Sequence, residues 1–322
     1  MNEILHSAAD TLRLLASSRV SNIPGVIRVD SGIRGPVLGI TACTHGNEPA
    51  GLETIRFLLK EFDLERRLLC GCVYLGVNNL AAAASYIAGG RRGLKNRYRY
   101  IDINMNRLPH DLSVTPVSGY EIRRARDLLP LWRQFDVGLD IHSTSQPTLP
   151  MIVNSGRTLH TDLVRGFPIR KVISNIDVIQ RGLPAFGFYG HGSGSGTPVM
   201  EIEAGAHEDH ESMMRARTCA IALLRNLRMI DGPDTHDTAE FEEYIVHGSV
   251  LFPDNTYRLT RMFKNFEHVQ SGTIIARGNG GSIVTERSSH TLFCPGADQI
   301  ATWCDTSEEA LFLTEPPRIV RS

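Results

Sequence analysis

No stretch of the 322-residue chain approaches the run of about 20 apolar residues that a membrane-spanning helix needs. The amino terminus, Met1-Asn-Glu-Ile-Leu-His6, lacks the basic and apolar regions of a secretory signal. An excess of either charge is missing too. The 35 acidic residues nearly cancel the 34 basic ones, so no global field draws the chain to nucleic acid or to an anionic membrane. The cysteines number only six, mostly inside apolar runs, which fits free buried thiols of a cytoplasmic protein rather than a disulfide framework. Cys70 and Cys72 alternate along a predicted strand, sharing a face without being placed to bridge. Internal repeats and low-complexity segments are absent. These absences leave a cytoplasmic globular chain, large enough for a substantial core and free to form a homo-oligomer.

Apolar runs alternate with helical periods through the first 230 residues or so. Strands are predicted at 37–42, 68–77, 137–141, 151–153, 172–176 and 198–202. Helices are predicted at 48–62, with Leu52, Ile55, Leu58 and Leu59 on one face, and at 212–230, with Ala216, Ala220, Leu223, Leu224 and Leu227 facing inward. Ser118-Gly-Tyr-Glu121 has the form of a capping box opening a helix to about Phe135. Strands interleaved with helices imply a mostly parallel α/β sheet covered on both faces, with any site at the carboxyl edge. After the turn-rich stretch Asp231-Gly-Pro-Asp-Thr-His-Asp237, the pattern changes to short alternating runs. The expected division is a catalytic domain over 1–232 and a small β-rich domain over 238–322.

Three segments that end strands carry metal-binding residue types. His45-Gly-Asn-Glu48 follows the apolar run 36–43, and its histidine and glutamate can turn toward one ion. Gly46 permits a tight path between them. Asp140-Ile-His142 and Glu201-Ile-Glu203-Ala-Gly205 can add a third ligand and a base. Two histidines and a carboxylate with a position left for water make a hydrolytic zinc set. The competing explanations are a solvated turn histidine, a glutamate favoured by a helix N-terminus, and a polar residue closing a strand. Asp140 serves either as an acceptor behind the His142 ring or as an ordinary buried aspartate. Spacing alone does not choose between Glu201 and Glu203 as the base. Cys43, on a buried strand, is read as core rather than as a ligand.

Arg99-Tyr-Ile-Asp-Ile-Asn-Met-Asn106-Arg107 adds a fourth segment. The ordered set H-G-N-E, R-Y-x-x-x-x-x-N-R, D-I-H and I-E-x-G resembles the succinylglutamate desuccinylase and aspartoacylase family, zinc amidohydrolases related to the zinc carboxypeptidases. The resemblance covers about 36–206. It implies a three-layer α/β/α zinc-carboxypeptidase-like domain with a mostly parallel mixed sheet and a β-rich tail that restricts access. It further implies one Zn2+ per chain on His45, Glu48 and His142, with cobalt or manganese able to use the same ligands. Glu203 is implied as the catalytic base, Arg99 as the group that steadies the oxyanion, and Asn106 with Arg107 as the grip on the substrate's α-carboxylate. Surface charge is the plain alternative for the two arginines, and a turn residue for Asn106.

Three positions depart from the family pattern. The region 190–197 lacks the second substrate-binding arginine of aspartoacylases, Leu108-Pro109 follows the Asn-Arg pair, and Ser143 follows His142. They bear on the acyl pocket and leave the metal ligands alone. The glycine-rich 190–196 precedes a strand rather than a helix, so it is read as a site-edge loop and not a phosphate cradle. The basic cluster 91–99 is either solvated or draws an anionic small molecule toward the site. The implied reaction is hydrolysis of an N-acyl amino acid, with N-succinylglutamate as the best single guess and arginine breakdown as its setting. An N-acetylaspartate-like substrate, a metallocarboxypeptidase and a non-catalytic carboxylate-binding protein are the alternatives. No nucleic-acid or membrane partner is expected.

Overall fold

The computed structural model describes residues 3–89, 98–113, 118–145, 147–154, 159–190, 197–207, 209–232, 239–293, 306 and 308–321. Its principal elements are α1 (Glu3–Ser17), β1 (Val26–Asp30), β2 (Val37–Ala42), α2 (Ala50–Lys60), β3 (Cys72–Val77), α3 (Leu80–Gly89), α4 (Tyr120–Trp132) and β4 (Val137–Thr144). They continue as β5 (Met151–Asn154), β6 (Lys171–Ser174), β7 (Val199–Ala206), α5 (His210–Asn226) and β8 (Glu240–Val250). Four strands follow in the same sheet: β9 (His268–Val269), β10 (Ser289–Leu292), β11 (Leu311–Thr314) and β12 (Arg318–Arg321). Two single-turn helices, Leu64–Arg67 and Ile176–Ile179, complete the seven helices of the described residues.

The sheet is mixed. From β8 its order is β6-β5-β7-β4-β2-β3-β1. β3 and β4 both run parallel to β2, β7 runs parallel to β4, and β5 and β8 run parallel to β6. β1 and β5 run antiparallel to β3 and β7. Central strands are apolar along their length because helices bury both faces. One core packs Leu52, Ile55 and Leu58 of α2 and Ala216, Ala220 and Leu223 of α5 against Leu38 and Ile40 of β2. The opposite core gathers Leu128, Leu131 and Trp132 of α4 with Val153 and Met105. A third core, with Val250, Phe252, Tyr257, Ile275 and Leu311, lies within the carboxy-terminal third. That region adds a small antiparallel sheet of Arg258–Leu259, Ile274–Gly278 and Gly281–Val284. The mixed α/β architecture and the additional small sheet agree with the sequence expectation. β8 spans both regions, pairing with β6 on one side and with β11 and β12 on the other.

Several local expectations need correction. Helix α2 begins at Ala50, so Glu48 lies in the preceding turn and is free of helical geometry. β4 and β7 run on to Thr144 and Ala206, so His142 and Glu203 lie inside strands rather than beyond their ends. Cys70 precedes β3 and does not share a strand face with Cys72. Cys43, Cys70, Cys72 and Cys219 are all free, and all but Cys70 are buried. The capping box does not form, since α4 is capped at Gly119 with no side-chain bond. Helix α1 and strand β1 carry no signal that was read from the sequence. Residues 91–97, 191–196 and 233–238, which hold most of the basic cluster, the glycine-rich loop and the linker, lie outside the described residues. No helix among the described residues is long and apolar enough to cross a membrane.

Candidate metal centre and active site

Three neighbouring strands, β2, β4 and β7, deliver the site at their carboxyl edge. The chain leaves β2 through Cys43, which takes a left-handed conformation (φ 51°). Gly46 then passes so close to the backbone of Ala82 in α3 that a β-carbon has no room. Its amide donates to the Arg99 carbonyl at 2.8 Å, which ties the His45 turn to the second motif. The glycine is needed for close approach rather than for an unusual φ.

His45, Glu48 and His142 are buried to 1 % exposure or less and converge. Glu48 Oε1 lies 2.8 Å from His45 Nδ1, and Glu48 Oε2 lies 2.8 Å from His142 Nδ1. The ring protons can be placed by elimination. Asn104 Oδ1 accepts the Asn106 backbone N–H at 2.8 Å, so the atom 2.9 Å from His45 Nε2 is an oxygen, and Nε2 must donate. Asp140 Oδ2, 3.1 Å from His142 Nε2, is likewise an acceptor. Both Nδ1 atoms are therefore lone pairs when the rings are neutral, each facing a carboxylate oxygen. His142 Nδ1 makes no hydrogen bond of good geometry despite its 2.8 Å neighbour. Such a donor set calls for a cation between the ligand atoms, and two imidazoles with a carboxylate suit zinc.

Electrostatics point the same way. Burial, with the Arg99 charge behind it, pushes His45 down to about 4 despite the adjacent Glu48 carboxylate. Burial alone raises Glu48, but the two imidazoles outweigh it and hold the carboxyl well below its usual range. Burial also opposes a charged His142, yet Glu201, Glu48 and Asp140 surround the ring and raise it well above the ordinary value. The pocket thus attracts positive charge, as a proton or as a metal ion.

A second group, Asp140, His142 and Glu201, also places its donor atoms within 4.8 Å of one another. Its chemistry is that of a hydrogen-bond network. Asp140 accepts from Thr41 Oγ1 at 2.8 Å and Thr44 Oγ1 at 2.7 Å as well as facing the His142 ring, so its oxygens are already occupied.

The β4–β7 register sets Glu203 beside His142 and Glu201 beside Asp140. Glu201 accepts from Asn106 Nδ2 at 3.2 Å. Glu203 Oε2 is buried with no hydrogen-bond partner. Burial, reinforced by the Glu48 charge, pushes the Glu203 carboxyl well above its ordinary value. Arg99, about one-third exposed, donates Nη1 to Glu48 Oε1 at 3.1 Å. His45, Arg99, Asn106, Arg107, Glu201 and Glu203 all line one cavity of about 670 Å3. Its far wall comes from the carboxy-terminal third, through Phe263, Lys264, Asn265, Glu308, Glu309 and Phe312.

Arg107 lines the cavity with most of its donors already engaged. Its Nε and Nη2 contact Glu309 Oε2 at 2.9 and 2.7 Å, and its Nη1 donates to the Asn106 carbonyl at 2.8 Å and Gln180 Oε1 at 3.0 Å. Since a guanidinium has five N–H groups, at most one stays available for a ligand. Asn106 is also engaged, giving its Nδ2 to Glu201 and accepting the Ala185 amide at 3.3 Å. Sequence reasoning passed over Asn104, Glu308, Glu309 and His207, whose Nδ1 lies 2.9 Å from Ser143 Oγ beside the ligands. Only Asn104 left a trace, as the first asparagine of Asn-Met-Asn; the rest meet the site through long-range folding.

The catalytic-domain model of the succinylglutamate desuccinylase/aspartoacylase family matches residues 34–169. That segment is similar to a succinylglutamate desuccinylase/aspartoacylase catalytic domain. The match takes in His45, Glu48, Arg99, Asn106, Arg107 and His142, and stops before Glu201 and Glu203. Among solved structures, the chain resembles murine aminoacylase 3, 21% identical, covering 90% of this chain and 96% of that one with a TM-score of 0.61. It also resembles the succinylglutamate desuccinylase of Vibrio parahaemolyticus, 14% identical, covering 98% of both chains with a TM-score of 0.68. The Chromobacterium violaceum enzyme of the same name is 16% identical, covering 97% of this chain and 98% of that one with a TM-score of 0.66. At these identities the neighbours establish the fold alone, and no curated protein matches the sequence. The desuccinylase/aspartoacylase family supports a hydrolase acting on a small acyl amino acid.

Proposed function

We propose that the protein is a zinc-dependent amidohydrolase that cleaves an N-acyl amino acid to a carboxylic acid and a free amino acid, with N-succinylglutamate the first substrate to test. The observation that carries this reading is the convergence of His45, Glu48 and His142 beside the unpartnered Glu203 Oε2, with His45 and Glu203 lining one cavity. His45, Glu48 and His142 are the residues that hold the metal. When bound, zinc supplies polarisation of the amide carbonyl and acidification of a water molecule.

The remaining chemistry falls to the chain's own groups. Glu203 takes a proton from the attacking water and returns it to the leaving nitrogen as the C–N bond breaks. A carboxyl pushed upward by burial suits a group that carries a proton between two transfers. Arg99, fixed by Glu48, faces the cavity and steadies the negative charge that develops on the carbonyl oxygen. Asn106 orients Glu201 through its Nδ2. Arg107 offers a substrate carboxylate one N–H rather than a fork, so Arg99 and the exposed Lys264 on the cavity wall carry more of the attraction for an anionic substrate. A volume of about 670 Å3, walled by carboxy-terminal residues, favours a small molecule over the open cleft of a peptidase.

The test is amine release from a panel of N-succinylglutamate, N-acetylaspartate and neutral acyl amino acids by zinc-loaded protein. Turnover of one member, reduced at least about a hundredfold in Glu203→Gln, is expected. Silence across the panel with zinc bound, or full activity in the variant, contradicts the reading.

A further inference from the structure

The two histidines of the centre are backed unequally. Asp140 places a carboxylate directly on His142 Nε2. His45 Nε2 instead meets a neutral amide, Asn104, whose own Nδ2 lies 3.1 Å from both oxygens of Glu308. Asn104 caps the short turn Met105–Arg107 by accepting the Asn106 amide, and it is 4 % exposed. Glu308 is half-buried on the cavity wall and comes from the segment leading into β11, 204 residues away.

We propose that Glu308 is a positioning residue for the metal centre, acting on His45 through Asn104. The inference rests on the metal reading of His45, Glu48 and His142. The chemistry of each partner fixes the chain of bonds in one direction. A carboxylate only accepts, so it holds the Asn104 amide group outward; the Asn106 N–H only donates, so it holds the amide oxygen inward. The oxygen then takes the Nε2 proton of His45, which leaves the Nδ1 lone pair facing Glu48. The negative charge of Glu308 polarises the amide, strengthens the bond to Nε2–H and makes Nδ1 a better donor to a metal ion. The support that Asp140 gives His142 in one bond is thus delivered to His45 in two, and the carboxylate at its far end belongs to the carboxy-terminal third. One ligand of the centre is thereby coupled to the packing of β11.

The experiment measures zinc affinity of the full-length protein by competition with a chromophoric chelator, for wild type, Glu308→Ala, Asn104→Asp and the double variant. Circular dichroism confirms folding of each. Glu308→Ala is expected to weaken zinc binding about tenfold, the lower end of what outer-shell partners contribute. Asn104→Asp alone sets two carboxylates against each other and is also expected to bind more weakly. The double variant places a carboxylate directly on His45 Nε2, as Asp140 is on His142, and is expected to recover to within about threefold of wild type. A purely structural role for Glu308 has no reason to be rescued this way. Unchanged affinity in Glu308→Ala, or a double variant no tighter than Glu308→Ala, overturns the relay. A wild-type protein that binds no zinc overturns the metal reading and the relay with it.

Discussion

Arg107 shows how much a residue's neighbours decide what it can do. Its motif position suggests a grip on a substrate carboxylate, yet Glu309, wholly buried, already takes two of its donors. The second Glu309 oxygen accepts the Arg181 amide at 2.6 Å, so the carboxylate joins three segments of chain. Removing one partner of such a pair leaves a buried charge uncompensated. Arg107→Ala is expected to lower unfolding free energy in urea by about 3 kcal/mol. A raised KM with unchanged stability is the opposite outcome and would restore Arg107 to a substrate-binding role. His45, Glu48 and His142 were legible as candidates because each lies in a short motif at or near a predicted strand end, whereas Glu203 was separated from Glu201 by the family resemblance alone. Glu308 and Glu309 were not legible, because they sit in a stretch without periodicity and reach Asn104 and Arg107 across more than 200 residues of chain.

At the scale of elements, α4 does more than cover the sheet. Glu121, in its first turn, accepts the backbone amides of Ile101, Asp102 and Ile103 at 2.6, 3.0 and 3.1 Å, together with Asn79 Nδ2 at 3.0 Å. Asp102 answers by accepting the Tyr120 amide at 2.6 Å. These bonds hold the segment that carries Arg99, Asn104 and Asn106 against the centre. The sequence offered Glu121 as half of a local capping box, and the loop 101–103 supplied better donors from across the fold. Glu121→Gln turns an acceptor into a donor facing backbone N–H groups, at a cost of about 1–3 kcal/mol. Faster amide hydrogen exchange at 101–103, with lower kcat/KM, is the expected result. Exchange unchanged there would show that packing, not Glu121, fixes the segment. The central strands were legible because burial on both faces leaves long apolar runs. β1 was missed although its pattern alternates, since five residues at a sheet edge give a weak signal.

Over the whole molecule, the expected boundary near 232–238 marks a change of sequence pattern that hydrogen bonding crosses. β8 joins the sheet of the family domain to strands of the carboxy-terminal third, and residues from that third wall the cavity and support His45. Periodicity sees the change from long helices to short strands, but not that the two parts share a sheet and a site. A single metal centre on His45, Glu48 and His142 sets a definite zinc stoichiometry, which can be measured. Metal-stripped protein is titrated with zinc against a competing chelator, beside Glu48→Ala. One tight equivalent per chain is expected in the wild type and none in the variant. Binding that survives Glu48→Ala, or a wild type that takes up no zinc, contradicts the three-residue centre.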